Sequence, residues 1–167
     1  MQKRHHKINR RQLPSPPNLA PRATAPWLWR PLISVVLPVY NQGRYLRESL
    51  DSVLRSAKKY PLEVVVINDG STDDTAAVLQ KNRNNEHVKV ITQTNAGLAR
   101  ALNRGFAEVQ GLFVSWTSAD NRYADGALDD LADFLLANPG VDLAYANVRL
   151  IDQHGAALRN SAYWSQD

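Results

Sequence analysis

Glu63 to Gly70 reads EVVVINDG, and Val114 to Tyr123 reads VSWTSADNRY. Each is an apolar run that breaks into a polar turn carrying a carboxylate, Asp69 in the first and Asp120 in the second. Polar residues do not interrupt the run from Val64 to Ile67, so the strand predicted over Glu63 to Ile67 is buried on both faces, as in parallel sheets covered by helices. Open α/β sheets bind ligands just beyond the carboxyl ends of their strands, where the strand order reverses. Two strands that each end in an acid therefore point to a ligand site.

Working outward, Ile33 to Leu37 is a short β-branched strand, ended by Pro38. Tyr45, Leu46, Ser49, Leu50, Val53, Leu54 and Ala57 recur at helical spacing and predict an amphipathic helix from Gly43 to Ala57. The turn Asn68-Asp69-Gly70-Ser71 leads to a helix over Thr72 to Lys81, with Asp73 and Asp74 in its first turn. Further strands are expected at Val88 to Thr92, Leu112 to Trp116 and Asp142 to Val148. Helices are expected at Gly97 to Val109 and around Leu128, Leu131, Ala132 and Leu135, the second ended by Asn138-Pro139-Gly140. Strands alternating with helices of this length predict a mostly parallel, doubly wound α/β sheet with right-handed crossovers. Asp152 to Asp167 shows no clear periodicity, and Asp152-Gln153-His154-Gly155 reads as a turn.

The 167 residues suffice for one domain with a sizeable core. Charge is unevenly split. Residues 1 to 31 hold seven Lys or Arg and no acid, whereas residues 32 to 167 hold thirteen bases against sixteen acids. The basic balance belongs to a Pro-rich arm read as disordered or extended, and the folded part is mildly acidic. A nucleic-acid-binding domain would carry its basic residues on the folded face, so the charge split argues against that class and no nucleic-acid partner is expected. Absence of cysteine removes disulfides and thiolate metal sites and makes the cytoplasm the default compartment. No apolar run reaches the roughly 18–20 residues needed to span a bilayer. The arm has a basic start but no apolar segment of a secretion signal. His5-His6 in that arm reads as a solvated pair rather than a metal site. Trp27 and Trp29, beside Arg22 and Arg30, pack against the domain or, alternatively, sit peripherally at the inner face of an anionic membrane.

The strand ends carry the chemistry. The first delivers Pro38, Tyr40 and Asn41: an aromatic ring offers a base a stacking face, and the amide offers donors and acceptors. The second delivers Asn68, Asp69 and Gly70, where a carboxylate can accept from the N3–H of a uracil and glycine lets the backbone turn sharply. The fourth delivers Ser118, Ala119, Asp120 and Asn121, oxygen-bearing apart from the alanine. Mg²⁺ and Mn²⁺ take such ligands, often one or two carboxylates together with phosphate oxygens. Taken singly, Asp69-Gly70 could be only a turn, Asp120 only a strand end and Tyr40 only core. A sheet that gathers three such ends is harder to explain as structure alone.

Three segments, SVVLPVYN from Ser34 to Asn41, VVINDGSTD from Val65 to Asp73 and NAGLARALNRG from Asn95 to Gly105, resemble family 2 glycosyltransferases of the GT-A fold. The spacing of VSWTSADNRY matches that family's metal-binding segment. The resemblance runs from Leu32 to Gly155. It implies that Pro38 and Tyr40 border the nucleobase, that Asp69 binds uracil or its equivalent, that Arg100 lies on the helix facing the diphosphate, and that Asn95 and Gly97 are among the residues that bind the donor. It also implies that Asp120 holds Mg²⁺ or Mn²⁺ on a UDP- or GDP-sugar, and that the sugar passes with inversion to a carbohydrate or lipid-linked acceptor hydroxyl.

Two departures follow from the same resemblance. The metal segment of the family usually holds two or more acids; here Ala119 replaces one, and a weaker grip on metal or ribose is expected. Family members place the acceptor region and the general base beyond the fifth strand, so residues 32 to 167 read as a donor-binding half. Asp152 and Asp167 lie too early to serve, and no general base is assigned. Two functions stay open: the donor half of a glycosyltransferase, or a non-catalytic nucleotide-sugar-binding module. Another nucleotide-binding α/β protein would need a Gly-rich phosphate loop after the first strand, and PVYNQGRY has one glycine.

Overall fold

The computed structural model describes residues 31–162. The basic arm, its His5-His6 pair, Trp27 and Trp29, and Asp167 lie outside the described residues. Four strands make a parallel sheet: β1 (Ile33–Val39), β2 (Leu62–Asp69), β3 (Val88–Gln93) and β4 (Phe113–Trp116), in the order β3-β2-β1-β4. The chain starts at β1, steps outward to β2 and β3, then returns to β1's other side as β4. Strand order therefore reverses between β1 and β4, the position at which such sheets open a crevice.

Alternation along the central strands sorts residues to two faces. Val35, Leu37 and Val39 of β1 and Val64 and Val66 of β2 join one buried cluster with Leu46, Leu50 and Val53 of α1 (Gly43–Ser56), Leu79 of α2 (Thr75–Lys81), and Leu128 and Ala132 of α4 (Ala127–Ala137). Val36, Val65 and Ile67 face the other way and pack with Ala101 of α3 (Leu98–Phe106). Gly105 makes that approach possible, because a side chain there would overlap Val36. The α3 face is covered less completely: Val114 and Trp116 of β4 are nearly half exposed.

Several sequence expectations are corrected. Pro38 does not end β1 but lies inside it, opposite Ile67 of β2. Leu32 and Val36 direct their carbonyls to β4, accepting from the amides of Phe113 and Thr117. By alternation Pro38 points its nitrogen the same way, at the end of the β1–β4 ladder, so its missing N–H interrupts no pairing within the ladder. The second helix begins at Thr75 rather than Thr72. Asp73 stands outside it, its Oδ2 accepting from Gly43 N at 3.0 Å and its Oδ1 from Thr75 N at 3.0 Å. The third helix ends at Phe106, three residues early, in a turn closed by Glu108 N donating to Gly105 O.

No strand forms over Asp142 to Val148, where a fifth was expected. A strand requires a ladder partner, and Leu143 and Tyr145 are each 79% exposed. Past them, β5 (Arg149–Ile151) and β6 (Ala157–Ala162) pair antiparallel, giving structure to a stretch without periodicity. The Asp152–Gly155 turn forms as expected. Gly155 adopts φ 82°, and Asp152 Oδ1 accepts from the amides of His154 and Ala156. No helix among the described residues is long and apolar enough to cross a membrane.

Candidate functional site

The candidate residues fall at the carboxyl ends of β1, β2, β3 and β4 and at the start of α3. Pro38 shares a face with Val36, hence with Asp69 and α3, and Tyr40 follows at the strand end with 49% of its surface exposed. An exposed ring at a strand end is available for stacking, unlike a core tyrosine. Asn41 turns the chain with φ 52°. Its amide nitrogen donates to Ser71 Oγ at 3.0 Å, and its Oδ1 accepts from Thr72 N at 2.8 Å. Asn68 Oδ1 accepts from Ser71 N at 3.0 Å. Asn41 therefore ties the loop after β1 to the loop after β2, and Asn68 closes the latter on itself.

Asp69 is 3% exposed and closely held. Its Oδ1 accepts from Gln93 Nε2 at 2.7 Å and Ala96 N at 2.9 Å, and its Oδ2 accepts from Gly97 N at 2.9 Å. Burial pushes the carboxyl up, but the three donors outweigh it and hold the group below its ordinary value. The positive end of α3 begins one residue beyond Gly97 and favours the same charge. Gly70, at φ 73°, lets the loop after β2 approach the loop after β3: a Cβ there would lie 2.7 Å from Asn95 N. Gly97, at φ 86°, has open space in front of it, and Asn95 and Arg100 are exposed beside it.

The segment after β4 is built differently. Helix α1 pins it from below: Ser49 Oγ donates to Ser118 O at 3.2 Å, and Tyr123 N donates to Ser52 Oγ at 3.1 Å. Tyr123 OH lies 2.8 Å from Ser115 Oγ, and Arg122 pairs with Glu48 at 2.7 Å. Ala119 is fully buried in the larger core, a position whose lining suits a methyl group. Asp120 next to it is exposed, and no hydrogen bond or ion pair among the described residues uses its carboxylate. The turn of the hairpin lies nearby, with Ile151, Asp152 and Gln153 lining a small cleft shared with Tyr45, Glu48 and Asp120.

Among the described residues no group of three or more His, Asp or Glu could hold a metal ion by itself. One free carboxylate with neutral oxygens nearby nevertheless suits a hard divalent cation that keeps waters and shares a ligand's phosphate oxygens. Such an ion fits Asp120 as a site completed by its ligand.

Three participants escaped sequence reasoning. Gln93 is the Cα partner of Asp69 across the parallel ladder, a signal legible only once the register is known. Ser49 and Ser52 lie on the buried face of α1. Small polar residues on such a face are the available signal.

Residues 34–163 match the family Glycosyl transferase family 2. A protein of Rickettsia prowazekii (strain Madrid E), described as an uncharacterized glycosyltransferase, is 33% identical over 133 residues, which are 78% of this chain and 41% of the relative. Among solved structures, S. aureus TarS 1-349 in complex with UDP-GlcNAc is similar with a TM-score of 0.59 and 32% identity, over 64% of this chain and 32% of that one. Mannosyltransferase PcManGT from Pyrobaculum calidifontis, in complex with GDP-Man and Mn²⁺, is similar with a TM-score of 0.56 and 31% identity, over 74% of this chain and 36% of that one. The chain spans 22% and 41% of the length of two curated relatives it matches. With its parallel sheet, its ordered strand-end motifs and a family match over most of its length, this chain belongs to glycosyl transferase family 2 and carries the GT-A fold.

Proposed function

We propose that this chain binds a nucleoside diphosphate sugar at the β1–β4 reversal, as the donor-binding part of an enzyme that transfers the sugar to an acceptor hydroxyl with inversion. The observation that carries this reading is the juxtaposition at one end of the sheet of an exposed ring, Tyr40, a clasped carboxylate, Asp69, and an uncommitted carboxylate, Asp120. The complexes of similar proteins with UDP-GlcNAc and with GDP-Man and Mn²⁺ support it.

The division of labour follows from the chemistry of the donor. Tyr40 and Pro38 border the base, and Asp69 meets its pairing edge. Arg100, exposed on α3, lies on the side of the diphosphate and offsets part of the charge that builds on the leaving oxygen. Mg²⁺ or Mn²⁺ held by Asp120 and the diphosphate would supply Lewis-acid stabilisation of that charge. Ser49, Ser52 and the Arg122–Glu48 pair keep the Asp120 segment at its height above the sheet. The acceptor, carbohydrate or lipid-linked, approaches from the opposite face of the sugar, and its proton must go to a base within hydrogen-bond reach.

Calorimetry with UDP and GDP, each with and without Mn²⁺, tests the reading. Binding of at least one nucleotide, strengthened about tenfold or more by Mn²⁺, is expected. Asp120→Ala should abolish the Mn²⁺ effect and leave metal-free binding in place. Absence of heat from both nucleotides at millimolar concentration overturns the proposal.

A further inference from the structure

We infer that Gln93 is a specificity-determining residue: by donating to Asp69 it leaves that carboxylate one open acceptor position, which selects a base with a single N–H donor on its pairing edge, uracil rather than guanine. The inference rests on the nucleotide reading of the site and deepens it.

A carboxylate accepts at about four lone-pair positions, two on each oxygen. Gln93 Nε2 and Ala96 N fill both positions on Asp69 Oδ1, and Gly97 N fills one on Oδ2. A carboxylate only accepts, so the part of Gln93 that faces it is the amide nitrogen. Two of the three donors are backbone amides of the loop before α3, which any sequence would supply. Gln93 is the one whose identity sets the count. Its place is fixed by the ladder, which puts it directly beside Asp69 at the end of β3, and it is half-buried there.

Guanine presents two adjacent donors, N1–H and the N2 amino group, and pairs with a carboxylate by using one lone pair on each oxygen. With Oδ1 already filled, one of those donors would lose its water without gaining a partner, and an unpaired buried donor is costly. Uracil presents one donor, N3–H, between two carbonyls, and matches the single position left on Oδ2. Cytosine lacks the N3–H altogether. The held-down proton affinity of Asp69 keeps it an acceptor at neutral pH.

Affinities of the intact chain for UDP, GDP and N3-methyl-UDP, measured with Mn²⁺ present, test this. UDP is expected to bind about tenfold or more tighter than either GDP or N3-methyl-UDP, the scale of one hydrogen bond to a charged group. Gln93→Met keeps the length but removes the donor, and thermal unfolding checks that it folds; it should bring GDP to within about threefold of UDP by freeing Oδ1. Wild-type binding of GDP or N3-methyl-UDP as tight as that of UDP overturns the inference without reference to any variant, as does an unchanged UDP-to-GDP ratio in folded Gln93→Met. Absence of binding by UDP, GDP and N3-methyl-UDP alike would instead defeat the nucleotide reading itself.

Discussion

Asp69 ends one strand of the parallel sheet and Asp120 follows another, each at the break from an apolar run into a polar turn, yet the fold treats them in opposite ways. Around Asp69 the side chain is the structure: three donors converge on it, and the loop before α3 is wrapped about its oxygens. Around Asp120 the backbone is the structure, held by Ser49, Ser52 and buried Ala119, while the carboxylate itself stays in solvent. One acid is a framework element that can also present a remaining lone pair. The other is a free carboxylate on a pinned platform. Loss of stability should therefore follow substitution of Asp69 and not of Asp120.

The largest effect is expected from Asp69→Ala. It strands three donors in a nearly buried site, and urea unfolding should report a loss of roughly 2–4 kcal/mol. A loss under about 0.5 kcal/mol would mean that water replaces the carboxylate and that the clasp is not structural. Next comes Gly70→Ala, which places a side chain at φ 73° and against Asn95 N. About 1–3 kcal/mol of destabilisation is expected by the same measurement.

Acid should act on one side of the comparison. Asp69 is held below its ordinary value in the folded chain. Its contribution to stability is therefore complete above the unfolded value, about 3.9, and is lost as pH falls through the lower folded value. Unfolding curves from pH 6 to pH 2 should lose that component at the acid end, and Asp69→Asn should flatten it. The smallest effects belong to the Asp120 side. Glu48→Gln breaks a partly exposed pair with Arg122 and should cost under about 1 kcal/mol. Asp120→Ala should leave stability within about 0.5 kcal/mol of the parent while removing the Mn²⁺ response. A larger stability loss there would show that Asp120 is a framework element too.

Much of this was legible in sequence. Val64 to Ile67 announced a strand buried on both faces because a parallel sheet covered by helices leaves no solvent face to alternate toward. Leu46, Leu50 and Val53 announced α1 because burying one face imposes the helical period. Expectations failed where a pattern depended on a partner elsewhere. Asp142 to Val148 has the composition of a strand, but without a ladder among the described residues it forms none. Pro38 looks like a stop, but it ends only the ladder with β4, while pairing with β2 carries the strand on to Val39.

The sequence by itself determined the alternation of strands and helices, the α/β class, and the strand ends at which acids and an aromatic ring would stand. Those follow from local periodicity and from the residues that break it. Only the tertiary structure decided that Gln93 stands beside Asp69, that serines of α1 hold the Asp120 segment, and that one acid is filled with donors while the other is bare. The physical reason is that hydrogen-bond satisfaction is a property of neighbours in space. A carboxylate's role depends on which lone pairs those neighbours leave open, and parallel strands take their neighbours from across a crossover rather than from along the chain.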